Sequence, residues 1–149
     1  MNIKGKLVML GIFVVLLAGV VQVNATSTNN IGFKFNIKAN QNNSFSDPEE
    51  RATTNPKRAW MVDFRRSTES KSGAKCVTRF WLEKVGVFNI GSQVSDDHDI
   101  KEESGRHFYA STKDGTNCNV KLGAENNNYS AVTYQATGYW DEETTVILK

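Results

Sequence analysis

The sequence predicts an all-β chain, a single antiparallel β-sandwich or small barrel of about seven or eight strands. Three observations carry that expectation. Apolar residues recur with a period of two in several short runs, polar stretches rich in Asn, Asp, Ser, Gly and Pro separate those runs, and no run after residue 25 has the spacing of an amphipathic helix.

Residues 1–25 read as an export signal. Lys4 and Lys6 precede the apolar run Leu7 to Val21, and Val23-Asn24-Ala25 sets small residues at the −3 and −1 positions of a cleavage site. A membrane anchor is the competing reading. Fifteen residues rise only about 22 Å as a helix, short of the ~30 Å hydrocarbon core, so cleavage is expected and the mature domain would span residues 26–149 with no membrane span left.

The strands follow in order. Ile31, Phe33, Phe35, Ile37 and Ala39 alternate with Gly32, Lys34, Asn36, Lys38 and Asn40, which puts every apolar side chain of the first strand on one face. Asn42 to Lys57 reads as a long polar connection, punctuated by Asp47-Pro48 and Asn55-Pro56. Trp60, Val62 and Phe64 mark a second strand, and the polar stretch Ser67 to Gly73 is its turn. Ala74 to Val85 makes the third, with Cys76, Thr78, Phe80 and Leu82 inward and Val77, Arg79, Trp81 and Glu83 outward. Val94 to Ile100 reads as a charged edge strand. Asp114-Gly115 between Arg106 to Thr112 and Asn117 to Gly123 predicts a β-hairpin. Asn126-Asn127-Asn128 marks a turn, a strand starts at Val132, Tyr134 and Ala136, and Thr144 to Leu148 can make a last one.

Composition excludes some functions. The chain has 18 basic and 16 acidic residues, but residues 1–25 hold Lys4 and Lys6 and no acid, which leaves 16 against 16. A neutral domain has no long-range attraction to nucleic acid. Arg65-Arg66 and Lys57-Arg58 read as local basic pairs on solvated strand faces. In an exported chain Cys76 and Cys118 are expected to form one disulfide, both lying on inward faces; the alternatives are two buried thiols or a metal pair, for which no His or Cys partner stands at close spacing.

Candidate chemistry is sparse. Asp96-Asp97-His98-Asp99 with Glu102 and Glu103 is oxygen-rich but lacks EF-hand spacing, so it reads as a solubilising loop and no metal or cofactor is assigned. His98 and His107 are the two histidines, and no nucleophile elbow, zinc-helix motif or phosphate loop accompanies them, so no catalytic residue is named and no enzyme is expected. Tyr139-Trp140-Asp141, leading into Glu142-Glu143, sets two aromatics beside acids. They make a candidate binding platform, with the closing of the sandwich bottom as the alternative; Trp81 is the other candidate.

Phe33 to Asn40, Leu122 to Tyr129 and Gly138 to Glu143 resemble a domain-of-unknown-function family of small exported proteins of Gram-positive bacteria. The resemblance implies an exported single domain and transfers no active site. Size, export and strand content are also similar to lactococcin-like bacteriocins, by analogy alone.

The expected function is therefore a secreted protein, free or loosely cell-wall associated, that recognises a protein or a cell-envelope component through its surface. A bacteriocin-like antagonist is the second reading. A secreted hydrolase, which needs a cleft gathering His98 or His107 with carboxylates, is the third.

Overall fold

The computed structural model describes residues 29–69 and 75–149. The expected export signal at 1–25, residues 70–73 of the predicted turn and Ala74 of the predicted third strand lie outside the described residues. Among the described residues, ten strands run β1 (Ile31–Ile37), β2 (Ser44–Phe45), β3 (Glu49–Arg51), β4 (Trp60–Ser67), β5 (Val77–Lys84), β6 (Ser92–Gln93), β7 (His98–Lys101), β8 (Arg106–Tyr109), β9 (Cys118–Asn126) and β10 (Tyr134–Asp141).

They form two antiparallel sheets packed as a sandwich. One has the order β1-β10-β4-β8. The other is built on the long pair β5–β9; β2 and β3 share the free edge of β9, and β6 and β7 share that of β5. The count exceeds the sequence expectation because β2 and β3 are cut from the stretch read as a bare connection and β6 lies just before the expected strand at Val94. They are too short to show a period of two.

The core is what alternation predicts. Phe33, Phe35 and Ile37 from β1, with Trp60, Val62 and Phe64 from β4, face Phe80 and Leu82 from β5 and Val120, Leu122 and Ala124 from β9. Phe80 joins the layers, its ring centroid 5.6 Å from that of Phe33 and 5.7 Å from that of Phe64.

Three expectations are corrected. The predicted Asp114-Gly115 hairpin does not form: β8 pairs with β4 in one sheet and β9 with β5 in the other. A two-residue type I′ turn needs φ above zero at both central residues. Neither Asp114 nor Gly115 has it; they lie in a 3-10 turn, Lys113–Gly115, that carries the chain from one sheet to the other. The predicted last strand reduces to an isolated bridge between Arg58 and Ile147.

The third correction is the disulfide, which does not form between Cys76 and Cys118. In the β5–β9 register Thr78 stands opposite Asn126 and Lys84 opposite Val120, so Cys118 comes level with Gly86. That is ten residues along the sheet from Cys76, about 33 Å at ~3.3 Å per residue, where a bridge needs Cα atoms within about 7 Å. Instead, the Cys76 thiol donates to Glu69 Oε2 at 3.0 Å and the Cys118 thiol contacts the Asp114 carbonyl at 3.7 Å. Burial above all raises both thiol pKa values.

Candidate functional site

Tyr139 stands on the outer face of the four-stranded sheet. Successive residues of β10 point to opposite sides, so Trp140 enters the core and Tyr139 faces solvent at 47 % exposure. Tyr139 is flanked in register by Gly32 on β1 and Asp63 on β4, and Asp63 in turn by Arg106 on β8. A Cβ on Gly32 would meet no atom within 4 Å, so the space beside the tyrosine is open. In the next row Thr137 lies between Lys34 and Arg66, and a bulge between Thr137 and Gly138 gives β4 an extra residue, Arg65. A shallow groove of about 510 Å³ runs between Gly32, Arg65, Arg66, Thr137 and Tyr139.

Asp63 organises the charges of this face. It is buried, its Oδ2 accepts a 2.5 Å hydrogen bond from Arg65 and lies 3.9 Å from Arg106 Nε. That hydrogen bond, ahead of the charge of Asp63, raises the Arg65 pKa. Its Oδ1 has no hydrogen-bond partner among the described residues. Lys34, Arg65, Arg66 and Arg106 are all exposed, so Tyr139 is set among four cations. Guanidinium groups bind carboxylate or phosphate in a two-pronged fashion, and a phenol ring offers a stacking face with a polar tip.

The other sequence candidates lie elsewhere. Trp140 is fully buried, so it cannot form an exposed platform with Tyr139, and the structural alternative holds for it. Asp141 is buried too, accepting the N–H groups of Asn29 and Glu143 at 3.0 Å each; burial above all raises its pKa. Trp81 is on the outer face of its strand, as its parity predicts, yet it is 4 % exposed. Its indole covers Gly123, where a Cβ would come within 2.2 Å of the ring, and Phe45 of β2 meets it edge-on at 5.9 Å.

The acidic run after Trp140 is a structural tie. Buried Arg51 donates from Nε to the Gly115 carbonyl at 2.9 Å and from its guanidinium to the Glu142 and Arg58 carbonyls. Glu143 accepts the Thr53 N–H at 2.6 Å and pairs with Arg58 at 3.7 Å. Nothing in the sequence marks Arg51 as buried, because its partners are carbonyls contributed by distant residues.

The histidines are engaged outside the groove. The His98 ring stacks on Tyr109 at 3.5 Å, nearly parallel, where β7 of one sheet meets β8 of the other; burial lowers its pKa. His107 Nε2 is 2.7 Å from Ser104 Oγ. That serine's one proton goes to the Lys101 carbonyl at 2.6 Å, so the imidazole donates to the hydroxyl, the reverse of what activating a nucleophile requires. Of the acidic loop, Glu102 is buried and accepts the Ser67 N–H at 2.7 Å, and Asp99 pairs with Arg79 at 2.9 Å. No group of three metal-binding side chains occurs among the described residues, nor any helix long and apolar enough to cross a membrane.

Sequence reasoning missed the basic half of the site. Arg65 and Arg66 looked like an ordinary solvated pair because their convergence on Tyr139 depends on the pairing of β4 with β10, across some seventy residues of chain. Comparison with known proteins adds the lineage. No curated protein and no solved structure matches the chain. A family model described as Protein of unknown function (DUF2712) matches residues 21–144, and the chain belongs to that family.

Proposed function

We propose that this protein is a secreted recognition module that binds an anionic component of the bacterial cell envelope through the outer face of the four-stranded sheet. The observation that carries the reading is Tyr139, exposed beside an open glycine floor and set among Lys34, Arg65, Arg66 and Arg106. The domain as a whole is neutral, so the attraction is local and selects a ligand that reaches this face. Phosphate or carboxylate groups meet the guanidiniums, and a sugar ring meets the tyrosine.

Binding needs no proton transfer in this arrangement. Incubation with cell-wall fragments, followed by sedimentation, tests it: Tyr139→Ala and Arg66→Glu are expected to abolish co-sedimentation, and rising salt to weaken it. His98→Ala combined with His107→Ala is expected to leave it unchanged. Retained binding by a folded Arg66→Glu, Tyr139→Ala variant would refute this reading, and loss in the double-histidine variant would favour the hydrolase.

A further inference from the structure

From the end of β5 through β6, the nine residues 85–93 carry no charge, and the loop they contain takes no part in the binding face. Val87, Phe88 and Ile90 within it are 77 %, 91 % and 76 % exposed. Large apolar groups gathered this way on a surface mark a contact site. The loop is a constrained turn. Phe88 has a φ of 59°, a left-handed conformation that bulky side chains rarely adopt, and Ile90 N–H bonds back to the Val87 carbonyl at 3.4 Å. A Cβ on Gly86 would come within 2.0 Å of the Ile90 carbonyl oxygen, so this closure requires glycine there.

We propose that Val87, Phe88 and Ile90 form a tip that inserts into the interfacial layer of a lipid bilayer. A protein partner or a second copy needs about 800 Å² from each side of a stable interface. Three side chains on an exposed turn fall short of it, even if each buried the roughly 150 to 250 Å² of an aromatic one. A bilayer closes around a narrow tip, and the uncharged run 85–93 takes no ion into it. The left-handed backbone at Phe88 carries a ring that is 91 % exposed.

Co-flotation with neutral phosphatidylcholine vesicles tests this on the chain starting at Thr26, since the sheets and the buried core among the described residues begin at residue 31. Neutral lipid gives the basic face no attraction, so failure here is separable from failure of the recognition reading. The unaltered chain is expected to float. Phe88→Ser is expected to lower the partition constant roughly 10- to 100-fold. Val87→Ser with Ile90→Ser, which leaves residue 88 alone, is expected to act in the same direction, and Tyr139→Ala to have no effect. Absence of the unaltered chain from the lipid fraction, or equal flotation of folded Phe88→Ser, overturns the proposal. A dimer in sedimentation equilibrium that Phe88→Ser dissolves would overturn it in favour of a second copy.

Discussion

The two outer faces of the sandwich are finished differently. On the six-stranded sheet, Arg79 pairs with Asp99 at 2.9 Å and Glu125 at 3.4 Å, Lys121 pairs with Glu83 at 3.5 Å, and Trp81 is roofed by Phe45, over whose ring Lys121 Nζ sits at 4.5 Å. On the four-stranded sheet, four exposed cations stand against Asp63 and Asp141, both buried, and the largest aromatic is open to water. A face whose charges and rings are matched internally has its contacts already made. On the other, Arg65 and Arg106 share the single carboxylate of Asp63, and the exposed cations keep hydrogen-bonding capacity that a ligand can engage.

The sharpest way to break this comparison is to truncate one aromatic on each side. Trp81→Ala is expected to cost ~3 to 5 kcal/mol, because it opens a cavity under Phe45. Urea denaturation measures it. Arg51→Ala, at the base common to both sheets, is expected to cost a similar ~3 to 5 kcal/mol by removing the buried cation that Glu143 faces. Arg79→Ala is expected to cost about 0.2 to 1 kcal/mol, as partly exposed pairs do. Tyr139→Ala is expected to change stability by less than about 0.5 kcal/mol while removing envelope binding.

The seam where β7 meets β8 gives a pH test. Burial depresses the His98 pKa, so its neutral form belongs to the fold; that contribution is complete above the unfolded value of 6.5 and is lost as pH falls through the lowered one. Asp141 and Glu142 run oppositely: burial raises their pKa values, so their contribution is complete below 3.8 and 4.5 and is lost as pH rises through the raised ones. His98→Phe, which keeps a ring against Tyr109, is therefore expected to show a smaller drop in urea midpoint between pH 7.5 and pH 5 than the unaltered chain. The smallest effect is at the cysteines: intact mass is expected to be the same with and without reductant, and denatured unreduced protein to take up two alkyl groups.

Parity was legible in the sequence and register was not. Alternation alone assigns Phe33, Phe35, Trp60, Val62, Phe64, Phe80 and Leu82 to the core. The same rule places Cys76 and Cys118 on apolar faces but says nothing about position along the sheet, which separates them by more than the length of either long strand. It also marks Trp81 as outward without revealing the roof, since Phe45 comes from a two-residue strand with no periodicity to read. Asp114-Gly115 misled for a related reason: a turn motif reports local backbone preference, and here the flanking runs find partners in different sheets. At the proposed binding face, the sequence marks Tyr139 as a candidate but not the cations beside it, because convergence across strands is a property of pairing.

One pairing has a bearing on how the chain acquires its shape. β1 is an edge strand whose neighbour in the sheet is β10, so residues 31–37 wait for residues 134–140. β1 therefore has no neighbour in its sheet until a strand about a hundred residues further along the chain is in place. Such a topology folds slowly, because long loops must close before their contacts are rewarded. The six-stranded sheet contains neither of these two strands, so it can form first and leave β1 to dock late.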